Sequence, residues 1–129
     1  METIHLEHAL LDVADLDRSL SFYRDLLPDW VIRWEGRGQD GGRWVHFGPP
    51  GGGQPGYLSL YEAGRQGEDR GGGARIRHIG FAHPDVAALV EAVAARGRRP
   101  SDRVEDEAYR RAYFTDPDGH ELEFVQILT

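Results

Sequence analysis

The sequence predicts an α+β fold made of one strand–helix–strand–strand–strand unit used twice. Three observations carry this. Two segments match: His8-Ala-Leu-Leu-Asp-Val-Ala-Asp15-Leu16 and His78-Ile-Gly-Phe-Ala-His-Pro-Asp85-Val86 each run from a strand-like stretch into a helix start. A Gly-rich polar stretch, 63–74, separates the halves and has the composition of a linker. After each helix, three short strand-like segments follow in the same order.

The elements can be justified in turn. Ile4 to Val13 is apolar and strand-like. Asp15 suits an N-cap, and Leu16, Leu20, Tyr23 and Leu27 recur at helical spacing until Pro28. Trp30–Glu35, Arg43–Gly48 and Tyr57–Glu62 are the next strands, divided by Asp40-Gly41-Gly42 and by the Gly/Pro stretch 49–55. In the second half Arg75–Ala82 is a strand. Pro84 and Asp85 suit a helix N-terminus, Val86, Leu89, Val90 and Val93 give its apolar face, and Gly97 its stop. Pro100–Val104, Tyr109–Thr115 and His120–Leu128 are the last three strands, with Asp116-Pro117-Asp118-Gly119 as a turn. Overlaid, His8 falls on His78, Asp15 on Asp85, and Leu58-Ser59-Leu60 on Leu122-Glu123-Phe124. This duplication of about 60–70 residues implies related, packed copies.

Bulk properties exclude several functions. At 129 residues the chain suffices for one domain with a real core, here 4–62 and 75–128 as modules of one domain. A net charge of −7 disfavours nucleic acid and anionic membrane surfaces. No run of about 18 apolar residues suggests a transmembrane helix. The first residues, Met-Glu-Thr-Ile-His, lack a basic-then-apolar leader pattern, so a cytoplasmic location is expected. With no Cys, thiolate ligands, thiol nucleophiles and disulfides are excluded, and a metal would need His, Asp and Glu. The Gly-rich 63–74 stretch is not followed by Lys-Ser/Thr at a helix start, so it is no P-loop.

Two histidines and one carboxylate form a recurring ligand set for a divalent metal with open positions. His8, His78 and Glu123 are the candidates. By strand parity His8 shares a face with Leu6 and Leu10, His78 with Ile76 and Gly80, and Glu123 with Glu121 and Val125. In each case the apolar neighbours of opposite parity make a core face.

The His8 strand followed by Asp15-Leu-Asp-Arg-Ser-Leu-Ser-Phe-Tyr23, the His78 strand, and Asp116-Pro-Asp-Gly-His-Glu-Leu-Glu123 resemble the vicinal oxygen chelate superfamily. That group includes glyoxalase I, extradiol dioxygenases, fosfomycin-modifying enzymes, methylmalonyl-CoA epimerase and bleomycin-binding proteins. The resemblance covers nearly the whole chain. It implies paired βαβββ modules whose sheets curl into a cup, the glyoxalase/bleomycin resistance/dioxygenase fold. It also implies metal ligands at His8, His78 and Glu123, with Glu121 as substitute for Glu123, and a homodimer across which the cup is completed. Fe(II), Mn, Ni and Zn would all accept such ligands.

The resemblance also implies a small-molecule substrate that chelates through oxygen, by Lewis-acid or O₂ chemistry. Glyoxalase I resembles this chain with a fourth ligand where Ser59 stands. Tyr113, Asp116-Pro117, Gly119 and Glu123 resemble the end of the extradiol dioxygenase signature, while Val104 to Glu107 holds no histidine. His46 is the candidate acid/base group, Arg111 a candidate holder of a substrate carboxylate, and Tyr113 a candidate donor to an oxygen held by the metal. Trp44, Tyr57, Ser59, Tyr61 and Tyr109 share strand faces with these and are candidate pocket walls. The other expectation is a metal-independent small-molecule binding or resistance protein of the same fold.

Overall fold

The computed structural model describes residues 4–51, 55–64 and 76–128. They form two compact units, Met1–Arg70 and Gly71–Thr129. Each unit is a βαβββ module, and the chain is α+β.

In the first unit the elements are β1 (His8–Val13), α1 (Leu16–Leu26), β2 (Val31–Arg37), β3 (Arg43–Gly48) and β4 (Tyr57–Glu62). The sheet order is β1-β4-β3-β2, with β1 parallel to β4 and the other pairs antiparallel. A parallel pair needs a crossover, and α1 begins it. The Asp15 side chain accepts from the Arg18 amide at 3.1 Å and starts the helix. Leu16, Ser19, Leu20, Phe22, Tyr23 and Leu26 are its buried residues, at spacings of three and four that make one face. Leu11, Val13, Val45, Phe47, Leu58 and Leu60 are the buried apolar residues of the sheet. Each such buried Leu or Phe stabilises by about 1.5–3 kcal/mol.

The second unit has β5 (His78–Ala82), α2 (Val86–Ala94), β6 (Asp102–Glu105), β7 (Tyr109–Thr115) and β8 (Glu121–Ile127). Its sheet order, β5-β8-β7-β6, repeats that of the first. Asp85 caps α2 by accepting from the Ala88 amide at 3.0 Å. Gly97, at φ +82°, ends it, with the Arg98 amide turned back to the Val93 carbonyl at 3.0 Å. Val86, Leu89 and Val93 of the helix and Ala112, Phe114, Leu122 and Phe124 of the sheet are buried. Phe124 stacks on Phe81 and meets Phe114 edge-on.

Several strands start or stop away from the sequence reading. β1 begins at His8 and β5 at His78, because their ladders begin at Tyr57 and Glu121. Ahead of β1 the Glu7 carbonyl still accepts from the Gly56 and Tyr57 amides, at 2.6 and 3.2 Å, although 4–7 is not part of the strand. Arg75, and most of the 63–74 linker, lies outside the described residues. β2 runs on to Arg37 and carries a register shift between Ile32 and Trp34. Among the described residues no helix is long and apolar enough to cross a membrane.

Candidate functional site

The candidate residues lie on the sheet faces opposite the helices. In β1 the burial alternates, with His8, Leu10 and Asp12 exposed while Leu11 and Val13 are buried. The β1–β4 ladder sets His8 beside Tyr57, and Leu10 beside Ser59. The β3–β4 ladder sets His46 beside Ser59, and Trp44 beside Tyr61. The result is a row of rings. His8 stacks on Tyr57 at 5.1 Å, Tyr57 lies 4.7 Å from His46, and His46 lies 5.0 Å from Trp44. Ser59, only 5% exposed, sits under this row.

Charged and polar groups surround the row. His8 Nδ1 is 2.5 Å from Glu7 Oε1, which leaves Nε2 as the nitrogen for a ligand. The contact with His8 holds the Glu7 carboxyl below its usual range. Burial, then the charge of His8, lowers the proton affinity of His46. Burial, then the charge of Glu7, raises the Tyr57 phenol. The Arg33 guanidinium lies over the Tyr57 ring at 5.1 Å, from the place in β2 where the register against β3 shifts. Tyr61 turns its hydroxyl into the β2–β3 turn, donating to Asp40 Oδ1.

In the second unit the ladders bring the other candidates together. His78 pairs with Glu121 and Gly80 with Glu123 in the β5–β8 ladder, and Tyr113 pairs with Glu123 in the β7–β8 ladder. His78 Nε2 is 3.1 Å from Glu123 Oε2. Arg111 Nε is 3.4 Å from Glu123 Oε1. The Glu123 side chain is 13% exposed, so these contacts act in a partly desolvated place. The Tyr113 ring meets His78 edge-on at 6.2 Å. Burial, then the charge of Glu123, raises the Tyr113 phenol, keeping it a donor at neutral pH. Nothing lies within 4 Å of where a Cβ on Gly80 would stand, so the space beside Glu123 is open. A recess of about 390 Å³ opens in the same unit, with His78, Tyr113, Glu121, Asp102 and Val104 among its walls. A larger recess, about 520 Å³, opens at Leu20, Arg24, Ile32 and Arg43, and no histidine lines it.

The pair His78–Glu123 fits a divalent ion. Donors at right angles and about 2.1 Å from an octahedral ion are about 3.0 Å apart. The 3.1 Å between Nε2 and Oε2 matches that spacing. Glu121, the substitute, lies two register positions away on the same face, beside His78.

Two other histidines have local tasks. His83 Nδ1 accepts from the Asp85 amide at the start of α2. His120 Nδ1 lies 2.7 Å from Asp116 Oδ2. Asp116, Asp118 and His120 also stand close enough to share an ion. Asp116 Oδ1, however, accepts from the Asp118 and His120 amides, so this carboxylate shapes the β7–β8 turn.

Three contributors escaped the sequence reading. Glu7 has the parity of the core face, but its backbone lies before β1. Arg33 has the parity of the open face, opposite Ile32, but a single Arg in a strand does not show which ring it will cover. Asp106 lies in the 104–107 stretch, where a histidine is the side chain expected by resemblance. Its Oδ1 accepts from the Ala108 and Tyr109 amides, a local turn that Asp two residues before Ala-Tyr permits.

Comparison with known proteins gives a consistent result. Residues 5–124 match the family described as Glyoxalase/Bleomycin resistance protein/Dioxygenase superfamily. A lactoylglutathione lyase from Haemophilus influenzae is 30% identical over 123 residues, covering 92% of this chain and 90% of that protein. A glyoxylase/bleomycin resistance protein/dioxygenase domain from Frankia sp. EAN1pec is similar with a TM-score of 0.78 at 25% identity, covering 98% and 94% of the two chains. TnmS3, an antibiotic binding protein from Streptomyces sp. CB03234, is similar with a TM-score of 0.72 at 23% identity, covering 99% of both chains.

Proposed function

We propose, for a chain that belongs to the Glyoxalase/Bleomycin resistance protein/Dioxygenase superfamily, a metal-dependent enzyme acting on a small substrate that chelates through two oxygens. The observation that carries this is the His78–Glu123 pair at 3.1 Å, beside the open space at Gly80. In this reading His78 Nε2 and Glu123 Oε2 hold a divalent cation, with His8 as the third protein ligand, supplied by the same chain or by a second copy. Fe(II), Mn, Ni and Zn all accept such ligands. The ion would supply Lewis acidity toward the substrate oxygens.

The other side chains then have distinct tasks. His46, its proton affinity lowered by burial, is neutral at pH 7 and able to accept a proton. Tyr113 keeps its proton and offers a hydrogen bond beside Glu123. Trp44, Tyr57, Ser59, Tyr61 and Tyr109 form walls. Ser59 stands at the register of Glu123 in the other module and is too weak a donor to serve as a fourth ligand. Three protein ligands leave about three positions on an octahedral ion, enough for a bidentate substrate. The reading includes a homodimer and a cytoplasmic location.

Purified protein titrated with Mn²⁺ and Zn²⁺ tests this. Loaded protein is then assayed with a glutathione hemithioacetal and with a catechol under O₂. Turnover of either that disappears on chelation supports the enzyme. Turnover that survives full chelation contradicts it.

A second reading rests on the aromatic row Trp44–His46–Tyr57–His8, which offers flat stacking surface. On that reading the protein sequesters a planar small molecule without metal. Tight ligand binding by metal-free protein lacking any turnover would favour it.

A further inference from the structure

We propose that Arg111 is a positioning residue for Glu123, and that Asp106 in turn positions Arg111. The inference rests on the reading of Glu123 as a metal ligand. It departs from the expectation that Arg111 holds a substrate carboxylate.

The guanidinium is held on three sides by the protein itself. Arg111 Nη1 donates to Asp106 Oδ2 at 3.2 Å. The guanidinium carbon lies 4.3 Å above the Tyr109 ring. Nε faces Glu123 Oε1 at 3.4 Å. Asp106 is itself fixed, because its Oδ1 accepts from the Ala108 and Tyr109 amides at 2.8 Å each. Those two bonds, then the bond from Arg111, hold its carboxyl below the usual range.

The consequence lies in how the Glu123 oxygens are divided. Arg111 takes Oε1, and Oε2 is turned to His78. A carboxylate fixed in this way meets an ion through one oxygen and occupies one coordination position. Freed to rotate, it would no longer hold that oxygen beside His78, and the pair would be less ready for an ion. Partners behind a ligand commonly matter about 10–100-fold in metal affinity. Ladder geometry supports the pairing, since Arg111 faces Val125, two residues along β8 from Glu123.

Two variants and two readouts test it. Arg111→Gln removes the fork. Asp106→Asn keeps an oxygen for the Ala108 and Tyr109 amides while removing the charge behind Arg111, so the loop stays folded. Mn²⁺ affinity is expected to fall about 10–100-fold in Arg111→Gln. It is expected to fall less in Asp106→Asn, with thermal stability of that variant near wild type. The second readout needs no metal: crystals of metal-free Arg111→Gln are expected to show the Glu123 carboxylate rotated off His78. Retention of the His78–Glu123 contact together with unchanged Mn²⁺ affinity in Arg111→Gln overturns the inference. Equal Mn²⁺ affinity in wild type and Glu123→Ala overturns the metal reading instead. In that case the metal-free crystals alone decide whether Arg111 positions Glu123.

Discussion

Ser59 occupies in β4 the register that Glu123 occupies in β8. Ser59 pairs with Leu10 and His46, and Glu123 pairs with Gly80 and Tyr113. The modules therefore share one ladder plan and differ in what they place on it. One carries a buried hydroxyl, the other a carboxylate beside an imidazole.

Restoring the carboxylate is the direct probe of that difference. Ser59→Glu is expected to tighten Mn²⁺ binding by adding a fourth ligand. It is also expected to lower the stability of metal-free protein by about 1–3 kcal/mol, since position 59 is buried and a lone carboxylate there is poorly solvated. Titration calorimetry and urea denaturation, each with and without metal, measure the two effects.

The same plan recurs at the helix starts. Glu62 Oε2 accepts from the Leu16 amide at 2.6 Å, and Gln126 Oε1 accepts from the Val86 amide at 3.0 Å. Both satisfy first-turn donors that have no partner within the helix. Glu62→Ala is expected to destabilise the protein by about 1 kcal/mol, read as a shift in the urea midpoint. Gln126→Ala should cost less, because its neutral amide gains nothing from the helix dipole.

Asp40 gives a pH signature. Its carboxyl is held below the usual range by the Tyr61 hydroxyl, then by the Gly42 and Gly64 amides. A folded-state value lower than the unfolded one means that the unfolded chain binds the proton first. The stabilisation is thus complete above the unfolded value of 3.8 and is lost as pH falls through the lower folded value. Asp40→Ala is expected to be less stable at pH 7 and to show a shallower loss below about pH 4, measured by thermal melts across pH.

Much of this was legible in the chain. Asp15 and Asp85 marked both helix starts, and β3, β4 and β7 matched their expected limits because turn residues bound them. The overlay of Ser59 on Glu123 survives as equal ladder register, since both strands keep a two-residue period against an apolar helix. Other features need tertiary context. The starts of β1 and β5 are set by where Tyr57 and Glu121 offer a partner, which alternation in a single strand does not show. The shift at Arg33 leaves no mark in composition. Asp106 and Glu123 are joined through Arg111 across a loop, so no spacing rule connects them.

The central claim is that His78 and Glu123 hold a divalent ion, with His8 as third ligand. Anomalous difference density from crystals soaked in Mn²⁺ or Zn²⁺ tests it most directly. A peak about 2.0–2.2 Å from His78 Nε2, from a Glu123 oxygen and from a His8 Nε2 is the expected result. A peak at Asp116, Asp118 and His120, with none at His78, would contradict it.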